Sequence, residues 1–285
     1  MRSSSVIIAV GVLCTQALLA ANTLAGGISV DAGLTPAQDR WIVRTQLRYM
    51  QRSGDPTGMG REMSRLAFPV VLAYGLRPNL TIMARQMVMH QEMTVMGARN
   101  RNTGFGDLFI LAKYKAYRRN TSRYTLGIAP TLGLELPTGD DSFTAETWNL
   151  NVGLYLSGRT GPWAADFNLA LAWNGFADQR EDDVNPGDEL SLDGALAHQL
   201  SLGEKAHVAL APVFELSYKD VGPDRLNGQK KPNTGESVFY LSPGFKCSMS
   251  WLILEALAQI PVWQQRRGSQ LERNVGLLVG SRLMF

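Results

Sequence analysis

Cysteine is scarce in this chain: Cys14 and Cys247 are the only two. If Cys14 leaves with an N-terminal leader, Cys247 stands alone, and no internal disulfide can form. Histidine is nearly as rare, with His90, His198 and His207. None of the three shows the spacing of a metal site, so neither metal nor cofactor is expected. A Ser–His hydrolase needs its pair on one face, yet Ser191 and Ser201 fall on the opposite strand face from His198. Gly104-x-Gly106 has Phe109 where a dinucleotide loop needs its third glycine, so it reads as a strand entry. No enzyme is expected. Beyond the first thirty residues no apolar run reaches the ~18 residues of a membrane helix. Charge of one sign is lacking too: 28 basic and 25 acidic residues are interspersed. That leaves no basic footprint for nucleic acid.

What is present begins with a leader. Arg2 supplies a positive start, Val6 to Leu13 and Ala17 to Ala21 an apolar stretch, and Thr23-Leu24-Ala25 a small-residue cleavage site. Residues 1–25 are therefore expected to be a signal peptide cut after Ala25. An uncleaved anchor would need the apolar stretch unbroken, and Cys14-Thr15-Gln16 interrupts it. Gly11-Val12-Leu13 before Cys14 is a poor lipobox and lies too early. Residues 26–38 show no clear pattern and form an N-terminal segment of undetermined role, a plug or a strand.

From residue 39 onward apolar and polar residues alternate almost without pause, the mark of strands with two unlike faces. Trp41, Val43, Leu47 and Tyr49 oppose Arg40, Arg44, Gln46 and Arg48. Trp163, Ala165, Phe167, Leu169, Leu171 and Trp173 alternate with Asp166, Asn168 and Asn174. Val208, Leu210, Pro212, Phe214, Leu216 and Tyr218 oppose Ala209, Ala211, Glu215 and Lys219. The pattern predicts twelve strands, at 39–50, 66–75, 80–90, 105–118, 123–137, 145–157, 163–175, 189–202, 206–219, 237–247, 251–263 and 273–285. Segments 80–90 and 237–247 carry apolar residues on both faces. Pro130, Pro212, Pro243 and Pro261 fall inside strands and predict bulges.

Alternation alone does not say which face meets the apolar medium: a sandwich turns it inward, a membrane barrel outward. Connections decide first. Short links near 76–79, 119–122, 158–162, 203–205 and 248–250 alternate with long ones at 51–65, 91–104, 138–144, 176–188, 220–236 and 264–272. Outer-membrane barrels keep that rhythm, with short periplasmic turns and longer extracellular loops. Aromatics (Trp41, Tyr49, Trp148, Trp163, Trp173 and Tyr218) sit at the ends of apolar faces, as in interfacial girdles. Polar faces hold small residues such as Gly127, Ala129, Thr131 and Gly133, which suit a crowded cylinder interior. Finally Val275, Leu277, Val279, Leu283 and Phe285 alternate to a terminal phenylalanine, like the signal read by outer-membrane assembly machinery. The expected fold is all-β, an antiparallel transmembrane β-barrel of twelve strands over 39–285.

Four ordered motifs carry a family resemblance. Gly104-Phe105-Gly106-Asp107-Leu108, running into Leu111-Ala112-Lys113-Tyr114-Lys115, resembles a "G-x-G-D-…-K-Y" strand. Gly133-Leu134-Glu135-Leu136-Pro137-Thr138-Gly139-Asp140 is similar to an "L-P-T-G-D" strand end. Tyr240-Leu241-Ser242-Pro243-Gly244-Phe245 and Glu255-Ala256-Leu257-Ala258-Gln259-Ile260-Pro261-Val262 resemble penultimate strands. The family is the outer-membrane one described as "putative MetA-pathway of phenol degradation". The resemblance covers 66–285 and implies a transporter-like barrel whose substrate is poorly defined.

With apolar faces outward, the lumen is expected to receive Arg44, Arg48, Asp107, Lys113, Glu135, Asp166, Asp193, Glu215, Lys246, Glu255 and Arg282. Either these pair into a salt-bridged plug, or they line a passage and set its polarity. Inward Phe109, Leu111, Tyr155, Val213 and Tyr240 suggest a mixed apolar path, or plain packing. The acidic run Asp178 to Glu189 could hold Ca²⁺, but it lacks EF-hand order and reads as a solvated outer loop. Two functions remain open. One is a passive outer-membrane channel for small hydrophobic or aromatic molecules. The other is a closed structural or adhesion barrel whose loops bind an outside partner. Expected partners are outer-membrane lipid and lipopolysaccharide, the barrel-assembly machinery and small-molecule cargo, with no nucleic acid.

Overall fold

The computed structural model describes residues 26–178, 184–201, 208–249 and 251–285. The expected leader with Cys14, the centre of the acidic loop and the turn bearing His207 lie outside them. Twelve antiparallel strands form the wall. They are β1 Trp41–Ser53, β2 Glu62–Arg77, β3 Leu80–Val95, β4 Leu108–Tyr114, β5 Tyr124–Leu136 and β6 Thr147–Thr160. The circuit continues with β7 Trp163–Asp178, β8 Glu189–His198, β9 Val208–Val221, β10 Glu236–Met249, β11 Leu252–Arg266 and β12 Gly276–Met284. Strand β12 pairs with β1 from Ile42↔Met284 to Tyr49↔Leu277, which closes the sheet. Closure leaves no unpaired edge in lipid.

The fourth wall position is in pieces. The expected strand 105–118 is interrupted, so that Ala98–Phe105 and Tyr117–Asn120 flank β4 as separate ladders. The expected long loop at 91–104 is instead a protruding hairpin, β3 pairing with Ala98–Phe105 across a tight turn. Met96 and Gly97 both have positive φ there (50° and 78°), the geometry of a two-residue hairpin turn. Asn227-Gly228 makes a second such turn (50° and 76°) inside the long loop between β9 and β10.

Of the four prolines expected to make bulges, only Pro261 adjoins a register shift, opposite Phe239/Tyr240; a fifth, Pro69 in β2, sits where the β1–β2 ladder skips from Val70 to Ala67. Pro130, Pro212 and Pro243 sit instead where one neighbouring ladder lapses. The β4 pairing stops at Lys113↔Thr131, the β8 pairing stops at Ala197↔Val213, and the β10–β11 ladder skips from Leu241 to Gly244. A residue without an N–H is tolerated where no donor is called for. Bulges were expected at all four; three are ladder gaps.

The strand phases agree with the alternation. Leu47, Leu72, Leu132, Phe167, Phe214 and Val279 are among the large apolar side chains left exposed on the outside. Inward neighbours such as Gln46, Thr131, Asp166 and Glu215 are buried. Trp41, Trp163, Trp251 and Phe285 stand exposed at the short-turn end, and Tyr49, Trp173 and Trp263 near the long-loop end. Trp41 stacks on Tyr74 with ring centres 4.5 Å apart. Phe285 pairs its backbone with that of Trp41 (2.8 and 3.1 Å), so the terminal residue completes the seam. His198 lies on the outer face against Trp163, and His90 bonds Thr103.

Candidate functional site: a lumen closed by its own N-terminal segment

Residues 26–38 enter the barrel from the short-turn end and fill that half of the lumen. Irregular backbone at membrane depth must find partners for every amide and carbonyl. The wall supplies them with charged side chains. The Gly27 amide donates to Asp166 Oδ2 at 2.9 Å. The Ile28 and Ser29 amides and the Ser29 hydroxyl donate to Glu215. Lys246 Nζ donates to the carbonyls of Gly26 and Gly27, both at 2.6 Å. Lys113 Nζ donates to the Ala32 carbonyl at 2.8 Å, and the Gly33 amide to Ser157 Oγ at 2.7 Å. Acids therefore hold most of the plug's donors and lysines most of its acceptors, with Ser157 accepting from the Gly33 amide and Gln46 donating to the Ile28 carbonyl.

An apolar collar seals the same level. Ile28, fully buried, packs with Ala164, Ala197, Val213, Leu257 and Leu278. Burying an isoleucine side chain is worth about 1.5–3 kcal/mol. The fit leaves no room for bulk: a Cβ on Gly33 would stand 2.4 Å from the Tyr155 carbonyl oxygen. One on Gly127 would stand 2.6 Å from Leu34. Small wall residues and plug glycines are thus complementary.

Most of the remaining charges at this level are mutually compensated. Glu255, with a fully buried carboxylate, pairs with Arg44 (3.0 Å) and Arg282 (3.2 Å) and accepts from Gln46 (2.7 Å). Arg44 also reaches Asp31 of the plug at 3.5 Å. Arg159 pairs with Asp166 at 2.8 Å.

The long-loop half is wetter. Arg85 lies 3.9 Å from Glu135 with their side chains 39% and 28% exposed, and Lys219 pairs with Glu189 at 2.5 Å with 37% and 29%. One buried cluster interrupts it, where Glu236 holds Arg52 at 3.1 Å and also Arg273, while Asp193 takes the Ser217 hydroxyl. Arg48 donates to Gln46 Oε1 (3.0 and 2.6 Å).

Of the residues expected to line the lumen, Arg44, Lys113, Asp166, Glu215, Lys246, Glu255 and Arg282 surround the plug. Arg48, Glu135 and Asp193 stand in the wetter half. Asp107 is used differently: its carboxylate accepts from the Gly139 and Ala145 amides, both at 2.9 Å, and pins the β5–β6 loop to the break before β4. The inward aromatics take part as well, with Lys113 Nζ 5.1 Å from the Tyr155 ring and Arg85 4.6 Å from that of Phe109. Sequence reasoning missed Gln46, Ser157 and Arg159, and the plug ligands Ile28 and Ser29. The cluster Gly26, Gly27 and Gly33 was the available signal, since closely packed non-repetitive backbone favours glycine.

With this geometry in view, comparison with known proteins is direct. The family model described as "Putative MetA-pathway of phenol degradation" matches residues 70–271. The chain belongs to that family. Its fold is similar to the COG4313 outer membrane channel from Pseudomonas putida, at 15% identity over 90% of this chain and all of the other, with a TM-score of 0.69. The beta domain of the Bordetella autotransporter Brka is also similar, at 13% identity over 88% of this chain and all of the other, with a TM-score of 0.52. At these identities the likeness concerns the fold, a barrel of outer-membrane type. No curated protein matches the sequence.

Proposed function

We propose that this family member is an outer-membrane channel for passive passage of small molecules, with the segment 26–38 as the closure of its periplasmic half. One observation carries the reading. The plug is held by hydrogen bonds and ion pairs to charged side chains, and among the described residues no disulfide or strand pairing fixes it to the wall. Such a segment can leave as a unit if water takes over its bonds, and the wall it leaves is, apart from the collar around Ile28, polar, as in water-filled barrels. Hydrophobic or aromatic cargo suits the inward Phe109, Leu111 and Tyr155 beside charged groups. The likeness to an outer membrane channel supports the role. Export through a leader cut after Ala25 would deliver Gly26 as the first residue of the plug.

A second reading has support of its own. The compensated cluster Arg44–Glu255–Arg282 is what a permanently closed barrel would contain. Planar-bilayer conductance separates the two. The channel reading expects small, fluctuating conductance from the full protein and a large steady rise when residues 26–37 are removed. Because deletion strands Lys246 and Glu215, a Ser29→Cys/Glu215→Cys pair gives an independent reading: oxidised, it locks conductance off, and reduction restores it. No conductance in any of these forms would establish the closed barrel.

A further inference from the structure

Above the plug, the wall formed by β1–β3 carries a pattern that the closure does not use. Met50, Met63, Met87 and Met93 face inward and are only partly covered, interleaved with Arg48 and Arg65. Cross-strand register makes this one patch: Met50↔Arg65↔Gln91 lies beside Arg48↔Ala67↔Met89, with Met63↔Met93 above. Among the described residues, Arg48 donates only to the amide oxygen of Gln46, and Arg65 only to that of Gln91 (3.0 and 2.5 Å). Among the described residues neither guanidinium has a carboxylate within 4.0 Å. Their neighbours Arg44, four residues deeper along β1, and Arg282 opposite it are ion-paired. The acids of the wetter half are engaged elsewhere: Glu236 with Arg52 and Arg273, Glu135 with Arg85, Glu189 with Lys219 and Asp193 with Ser217, the last two on β8 across the lumen.

We infer that this arginine–methionine wall is a binding site for aromatic carboxylates, entered from the long-loop side. A guanidinium offers a planar fork of donors matched to a carboxylate. Partly buried cations without acids are costly, and an anion relieves that cost. Thioethers make favourable contacts with aromatic ring edges, and four of them flank the two forks. The β8 acids repel an anion toward this wall and set its orientation across the lumen. A neutral aromatic would meet the thioethers but leave the forks unused, and an aliphatic carboxylate the reverse. The site thus selects for both features in one molecule.

The inference names the cargo of the proposed channel, but it is tested by binding, which needs no passage. Purified full-length protein in detergent is titrated with benzoate, cyclohexanecarboxylate and benzyl alcohol by calorimetry or ligand-observed NMR. Benzoate is expected to bind at least several-fold more tightly than either analogue. Arg48→Gln and Arg65→Gln should each weaken benzoate by about tenfold, the loss of one charge-assisted contact. Arg65→Lys should fall between, because it keeps charge and loses the fork. Heat-modifiable mobility on gels confirms that each variant is a folded barrel. Equal binding of benzoate and benzyl alcohol, or benzoate affinity unmoved by both Gln variants, overturns the site. Benzoate binding without benzoate flux into proteoliposomes keeps the site and overturns the channel.

Discussion

The two halves of this lumen solve the problem of inward charge in opposite ways. In the short-turn half, Asp166, Glu215, Lys246 and Glu255 are each at most 4% exposed, and every one is held by an ion pair or by the backbone of the N-terminal plug. In the long-loop half, Arg85, Glu135, Glu189 and Lys219 keep roughly a third of their side-chain surface open, so water carries part of their solvation; Glu236, buried between Arg52 and Arg273, is an exception. The same residue types are therefore structural below and available above. What separates the halves is a segment of about a dozen residues, not a change in the wall.

The largest expected effect exploits that contrast. Glu255→Ala strands Arg282 in the dry half and leaves Arg44 only the longer contact to Asp31, and should cost about 3–5 kcal/mol in unfolding by urea from detergent or lipid. Glu189→Gln removes the partner of Lys219 in the wet half and should cost under about 1 kcal/mol. Similar losses would erase the distinction between the halves.

Inside against outside comes next. Leu169 points to lipid opposite Leu154 and Leu192, so Leu169→Arg should cost about 2–4 kcal/mol of barrel stability near the midplane. Asn151 faces the open half of the lumen, and Asn151→Arg should assemble at close to the wild-type yield. Equal membrane yields would show the strand phase to be wrong.

The smallest effect lies outside the membrane. In the β1–β2 loop, Arg61 above all, helped by Thr57, bonds the Asp55 carboxylate and holds its pKa well below the ordinary 3.8. With the folded value depressed, the loop's order is present above that ordinary value and lost as pH falls below it toward the folded value. An NMR titration should place the Asp55 midpoint below 3.8, and Asp55→Asn should admit protease to 54–61 at neutral pH. A midpoint at the ordinary value would remove the loop clamp.

The wall was legible in the sequence because period-2 alternation is a local property, and one residue of slip would have exposed every inward charge. That is why Trp163 to Trp173 and Val275 to Phe285 were placed on the correct face. The plug was not legible. Its partners lie far away in sequence, 139 residues from Gly27 to Asp166 and 220 from Gly26 to Lys246, and irregular backbone has no period. The inward charges were found, but their pairing was not, since Arg44 meets Glu255 only after the barrel has closed. Asp107 misled because a carboxylate that caps a strand break looks, in sequence, like one lining a pore. The methionines of β3 were readable: Met83, Met87, Met89 and Met93 share one face of a strand that carries apolar residues on both.

The division of the lumen is tested most directly by thiol accessibility. With Cys247 replaced by serine, single cysteines at Ala129, beside the plug, and at Asn151, above it on the same wall, are exposed to a charged thiol reagent from the outside of intact cells. The account predicts rapid labelling at 151 and almost none at 129, with 129 becoming reactive when Gly33→Val forces the plug off the Tyr155 carbonyl. Equal labelling at both positions in the unaltered plug background, or no change at 129 on adding Gly33→Val, would contradict it.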